Sequence, residues 1–188
     1  MCGIFGYVGS RTAEPILLEG LRTLEYRGYD SAGMFVPGSP VVKAVGPIAN
    51  LQNVLPGDMN GTSGIAHTRW ATHGEPTKEN AHPHVDMSGQ IWLVHNGIIE
   101  NYRELKEGLS AKGISFSTQT DTEVLAKLIG SHYQGSLEEA VQQALQLVRG
   151  TYGIAVMHEK HPKEIVVARM GSPIVLGIGT DGHLVSSD

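Results

Sequence analysis

Two capping boxes follow one another in the middle of the chain, Thr120-x-x-Glu123 ahead of 124–133 and Ser136-x-x-Glu139 ahead of 140–149. Each supplies partners to amides that a helix start leaves orphaned, so two helices are expected in direct succession. Strand-type runs gather on both sides of them, at 3–8, 31–36, 41–45, 64–69 and 90–95 before, and at 152–158, 164–169, 174–178 and 183–186 after. That order disfavours a regular parallel βαβ sheet, whose strands and helices alternate. It favours an α+β architecture of antiparallel sheets packed against helices in layers. Pro37-Gly38-Ser39-Pro40 and Thr180-Asp181-Gly182 are expected hairpin turns. Further helices are expected over 14–26, where Leu17, Leu21 and Leu24 share a face, and over 99–112, where Tyr102, Leu105 and Leu109 do. Residues 71–88 are polar and rich in Gly, Pro and His without either period, and a loop of that length is usually functional.

The 188 residues suit one well-buried core, and a single domain is expected. A net charge of −5 without any Lys/Arg cluster argues against a nucleic-acid footprint and leaves small polar substrates as the expected partners. No segment approaches the length of a membrane span. One cysteine excludes an intramolecular disulfide, and no apolar run of secretory length precedes Arg11, so a cytoplasmic location is expected.

That cysteine is Cys2, directly behind the initiator methionine. Removal of Met1 would leave a thiol and a free α-amine on one residue. An α-amine has a pKa of about 7.7–8.0 and a thiol about 8.5, so the amine can take the proton of the neighbouring nucleophile. A frayed terminus is the plain alternative for position 2 taken alone.

The words that follow resemble those of class II glutamine amidotransferases. Cys2-Gly3-Ile4, Tyr26-Arg27-Gly28-Tyr29-Asp30-Ser31-Ala32-Gly33, His67-Thr68-Arg69-Trp70-Ala71-Thr72-His73-Gly74, His95-Asn96-Gly97 and Thr120-Asp121-Thr122-Glu123 occur in that family's order. Within the class, Trp70, the segment Ala81-His82-Pro83-His84-Val85 and the run 96–102 are similar to the glutaminase domain of the glucosamine-6-phosphate synthase family. The amidophosphoribosyltransferase family shares the outline, and a catalytically silent glutamine-binding module is the other alternative.

The resemblance implies the N-terminal-nucleophile hydrolase fold, two antiparallel sheets sandwiched between helix layers. It implies L-glutamine as substrate, no cofactor, Cys2 as nucleophile, and Asn96 with Gly97 as oxyanion donors. By residue chemistry alone, an Asn-Gly pair behind a strand reads more often as a turn. Arg69 offers a planar fork for the substrate carboxylate, and Asp121 a charge for its ammonium, although Asp121 also suits the first turn of a helix. Trp70, Thr72 and His73 are implied to belong to a lid, His82 to the substrate-binding residues, and Arg27 to the surroundings of the nucleophile. Taken alone, Trp70 reads as packing and Arg27 as a helix-end residue.

His67, His73, His82, His84 and His95 fall within one stretch, yet it holds no His-Glu-x-x-His or Cys-x-x-Cys pairing, and no metal is expected. The resemblance further implies that residues 1–188 are a glutaminase domain shortened at its C-terminal side. Fructose 6-phosphate would then be met only through sugar-phosphate isomerase domains absent here, and homo-oligomers would belong to the full-length enzyme. Lost strands would leave a sheet edge unpaired.

Overall fold

The computed structural model describes residues 2–70 and 74–188. In chain order these form β1 (Gly3–Gly9), α1 (Ala13–Leu24), a 3-10 turn (Glu25–Arg27), β2 (Ser31–Phe35), β3 (Val42–Val45), α2 (Ile48–Val54), β4 (Ser63–Arg69), β5 (His84–Val85) and β6 (Ile91–Ile99). Three helices follow, α3 (Tyr102–Ala111), α4 (Asp121–His132) and α5 (Leu137–Leu145). The strands β7 (Gly150–His158), β8 (Val166–Met170), β9 (Val175–Ile178) and β10 (Gly182–Ser186) complete the order.

The strands make two sheets, β3-β2-β4-β1-β10-β9 and β5-β6-β7-β8, with every named pair antiparallel. Side chains alternate across a strand, so each sheet has one face for the other sheet and one for helices. Ile4, Phe35, Ile65, Val94, Ala155 and Met157 meet between the sheets. On the outer face of the six-stranded sheet, Leu17 and Leu21 of α1 and Ile48 and Leu51 of α2 pack against Ala32, Met34 and Ala66. On the outer face of the other, Leu109, Leu125, Ile129 and Val141 of α3–α5 pack against Ile91, Leu93, Ile154 and Val156. Full burial of each of the larger side chains among these stabilises by about 1.5–3 kcal/mol. The layers run helix, sheet, sheet, helix, the α+β sandwich expected from the order of elements.

The β2–β3 hairpin and both capped helices form where expected. Thr120 accepts from the Glu123 amide at 3.2 Å and Ser136 from that of Glu139 at 3.2 Å. The Glu123 carboxylate, however, accepts from Ser117 and Thr118 main-chain amides and pairs with Lys127, so the first box closes on one side only. The strand expected at 90–95 continues to Ile99, which puts Asn96-Gly97 inside β6 and not behind it. Pairing with β7 from Ile91↔His158 to Ile99↔Gly150 overrides the local preference of Asn-Gly for a turn. Helix α2 and the two-residue β5 had no counterpart in the sequence reading, α3 starts later than expected, and α5 ends earlier.

Candidate active site

Strand alternation brings the chemistry together. Cys2 precedes β1 on the parity of the inter-sheet residue Ile4; His67 and Arg69 share the parity of Ile65 in β4; Asn96 shares that of Val94 in β6. The register sets Gly3 opposite Thr68, so Cys2 comes level with Arg69. Ile4 is also tied to Ser187, its amide donating to Oγ at 3.0 Å and its carbonyl accepting at 3.1 Å. A cavity of about 420 Å³ opens here, within the usual range for small-molecule sites. Cys2, Arg27, Arg69, Trp70, His82, Asn96, Gly97 and Asp121 all line it. Thr72 and His73, expected in a lid, lie outside the described residues.

The partly buried Cys2 thiol is held by main chain of Trp70. The Trp70 amide donates to Sγ at 3.2 Å, and the thiol donates to the Trp70 carbonyl at 3.4 Å. Burial pushes the thiol pKa up, against the Trp70 amide and the Arg69 charge, which pull it down. The indole of Trp70 is half exposed and meets Tyr29 edge-on, ring centroids 5.6 Å apart.

The Asn96 amide lies between two partners. Its Nδ2 donates to the Cys2 carbonyl at 3.1 Å, and its Oδ1 lies 3.0 Å from Nε2 of the buried His67. Gly97 follows it in β6 and lines the cavity as well. In the β6–β7 ladder, Glu159 donates to Gln90 and Glu100 to Arg149, so the even-numbered residues of β6 turn their amides toward β7. The odd-numbered amides turn away, as Ile99 does in donating to Asp121 Oδ2 at 2.9 Å. Gly97 has φ +128, and a Cβ there would stand 2.1 Å from the Thr151 carbonyl oxygen. Only glycine fits this position.

Arg69 donates to the Glu75 carbonyl at 3.1 Å and the Gly74 carbonyl at 3.2 Å, which fixes the plane of its guanidinium. Burial lowers its pKa, while Cys2, Asp30 and Asp121 act in the opposite direction. Asp121, at the first turn of α4, is buried on the cavity wall. Arg27 reaches the cavity wall and pairs with Asp188 at 2.8 Å. The next residue, Gly28, passes close to the end of β4, where a Cβ would meet the Arg69 main chain at 2.8 Å.

His82 and His95 share the Thr122 hydroxyl, at 2.9 Å from His82 Nε2 and 3.0 Å from His95 Nδ1. His84 Nε2 lies 3.1 Å from the Thr120 hydroxyl. Burial holds His67 down at about 3 and His82 and His84 well below the ordinary imidazole value, so these rings are neutral. Among the described residues no group of three or more His, Cys, Asp or Glu side chains is arranged to hold a metal ion, and no helix is long and apolar enough to cross a membrane. The contacts of His67 and Thr122 were not anticipated from the sequence. Period-2 alternation from Arg69 was the available signal for His67.

Residues 67–186 match the family described as the glutamine amidotransferase domain. Isomerizing glutamine–fructose-6-phosphate aminotransferases of Thermus thermophilus, Bacteroides thetaiotaomicron and Chlamydia muridarum are 55%, 52% and 49% identical to the chain. Each alignment covers 100% of this chain and 32% of the relative, so the chain spans about a third of the length of these relatives. Among solved structures, the glutamine phosphoribosylpyrophosphate amidotransferase of B. subtilis, complexed with ADP and GMP, matches with TM-score 0.83 at 32% identity, over 99% of this chain and 42% of that one. A structure described as the allosteric regulatory enzyme of purine biosynthesis matches with TM-score 0.84 at 31% identity and the same coverage. These neighbours carry the N-terminal-nucleophile amidotransferase fold, in agreement with the layers found here. Because the family match takes in most of the chain, from the histidine of β4 that holds Asn96 to the last residue of β10, the chain belongs to the glutamine amidotransferase family.

Proposed function

We propose that this chain hydrolyses the side-chain amide of L-glutamine, with Cys2 as nucleophile. One observation carries the reading: Asn96 Nδ2 donates to the Cys2 carbonyl at the edge of a cavity that Gly97, Arg69 and Asp121 also line. The Cys2 sulfur attacks the amide carbon, and the developing oxyanion is received by the Asn96 and Gly97 donors. Collapse breaks the C–N bond, ammonia leaves after taking up a proton, and a glutamyl thioester remains. Water then releases glutamate and restores the thiol. Burial disfavours the thiolate, so the step needs a proton acceptor, and the α-amine left by removal of Met1 would stand on the same residue. Arg69 would clasp the substrate carboxylate with its fork, while Asp121, whose second oxygen retains acceptor capacity, would take the ammonium. Trp70 and His82 would form walls, Arg27 would support the nucleophile, and Thr72 and His73 would belong to the lid.

Residues 1–188 would thus act as a glutaminase domain, in the cytoplasm where a free thiol stays reduced. The higher identity to the fructose-6-phosphate aminotransferases, 49–55% against 31–32%, favours fructose 6-phosphate over phosphoribosyl pyrophosphate as the ammonia acceptor in a longer enzyme. Given glutamine and fructose 6-phosphate, the chain alone should yield glutamate and free ammonia and no glucosamine 6-phosphate. The test of the core reading is a glutaminase assay of the chain and of Cys2→Ala, with intact mass to verify removal of Met1. Activity should vanish in the variant, and turnover equal to the parent's would overturn the mechanism.

A further inference from the structure

We propose that His67 is a positioning residue for the reaction: its Nε2–H fixes the sense of the Asn96 carboxamide so that Nδ2, and not Oδ1, faces the oxyanion. The inference rests on the glutaminase reading above and adds to it a determinant of when the oxyanion site is competent.

Asn96 presents a carboxamide whose two ends differ by one atom, and a flip exchanges a donor for an acceptor. A flipped amide would turn an oxygen toward the developing negative charge. The neighbours decide the sense. His67 Nε2 lies 3.1 Å from the His95 carbonyl oxygen and 3.0 Å from Asn96 Oδ1. A carbonyl oxygen only accepts, so Nε2 carries the proton, and the amide atom facing it is then an acceptor as well. At the opposite end stands the Cys2 carbonyl, 3.1 Å from Nδ2, which requires a donor. The flipped amide would set donor against donor at His67 and acceptor against acceptor at Cys2. Both ends therefore select one orientation, and it leaves the second Nδ2 hydrogen for substrate.

The ring of His67 is itself held. It is fully buried, His82 packs on it with centroids 4.0 Å apart, and its Nδ1 has no hydrogen-bond partner among the described residues. With the proton on Nδ1, a buried donor would go unmet and a bare Nε2 would face two oxygens, so the Nε2–H tautomer is favoured. His82 is fixed in turn through Thr122. His95 Nε2 lies 3.4 Å from the Thr151 carbonyl and so donates to it, leaving Nδ1 to accept from Thr122, whose oxygen then accepts from His82 Nε2–H. A directed set of hydrogen bonds reaches from the start of α4 to the ring that packs on His67.

The test compares two substitutions of similar polarity. Gln places an amide nitrogen near the position of Nε2, whereas Asn reaches only that of Nδ1. His67→Asn should lower kcat about 10–100-fold with KM for glutamine within about twofold, less than the about 10²–10³-fold for loss of an oxyanion donor itself. His67→Gln should recover most of that loss. Affinity for the aldehyde analogue of glutamine, whose hemithioacetal with Cys2 places an oxygen in the same site, should fall in parallel with kcat, while glutamate affinity stays constant. The double change His67→Asn with Asn96→Ala should be no slower than Asn96→Ala alone. Equal losses in the Asn and Gln variants, or losses that multiply with Asn96→Ala, would overturn the proposal. An inactive parent chain would defeat the glutaminase reading instead. The histidine tautomer in ¹⁵N spectra then decides: an Nε2–H signal for His67 upholds the contact, and an Nδ1–H signal overturns it.

Discussion

Asn96 and Arg69 reach one cavity by different routes, and their replacements should fail differently. Asn96→Ala removes a donor used only as charge develops, so kcat should drop about 10²–10³-fold while KM hardly moves. Arg69→Lys keeps the charge but cannot hold both the Gly74 and Glu75 carbonyls and still offer a fork, so KM should rise with a smaller change in kcat. Steady-state kinetics on both variants decide; parallel changes in KM would show that the roles are misassigned. Residues singled out because their type is scarce or dictated by a task, Cys2, Arg69 and Asp121, do come together on one cavity. The contacts of His67 were not legible, because a lone histidine in a strand carries no mark of what it holds. Thr122 was hidden for the same reason, since a hydroxyl inside a helix start looks like a helix residue.

Element by element, the sequence was most informative where local and long-range forces agree. Thr120 and Ser136 cap the helices they were expected to cap. It was least informative at β6, where Asn96-Gly97 obeys the β7 ladder in spite of its turn propensity, and at α2, seven residues long with no side-chain cap. Gly97→Ala should therefore damage an element as well as a donor. The methyl group would meet the Thr151 carbonyl at 2.1 Å in a backbone with φ +128, so β6 and β7 must part locally. A loss of about 1–3 kcal/mol in chemical denaturation is expected, together with a fall in kcat. At the start of α4, burial raises the Glu123 pKa, but Lys127 and the Ser117 and Thr118 donors outweigh it and hold the carboxyl at about 2, below its ordinary 4.5. The depressed value means that this element's stabilisation is complete above about pH 4.5 and is lost as pH falls toward 2. Glu123→Gln should flatten the stability profile in that window alone, as read from denaturation midpoints across pH.

For the whole molecule, acid sensitivity should begin earlier. His67, His82 and His84 protonate near pH 6.5 in an unfolded chain, whereas burial keeps them neutral far below that when folded. The unfolded state then binds more protons, so stability is full above about pH 6.5 and falls with decreasing pH, by up to about 4 kcal/mol per pH unit for three rings. Denaturation curves independent of pH between 6.5 and 5 would contradict this. The six-stranded sheet ends at β9, where Val175, Leu176 and Ile178 are exposed, Ile178 by 86%. Such an edge is a template for unwanted pairing. Ile178→Lys should reduce light scattering at high protein concentration without altering glutaminase turnover, and unchanged scattering would place the sticky surface elsewhere.

The two tryptophans occupy opposite circumstances, and that makes the chain its own optical instrument. Trp92 stacks on Phe35 between the sheets, centroids 4.8 Å apart, whereas Trp70 stands half exposed on the cavity wall with its main chain against the thiol. Emission from Trp92 should shift to the red only when the sheets separate, so it reads global unfolding. Trp70 should respond instead to what enters the cavity or modifies Cys2. Titration with an unreactive glutamine analogue should change the emission of the parent chain and leave that of Trp70→Phe unmoved, giving occupancy and unfolding as separate signals from one unlabelled sample.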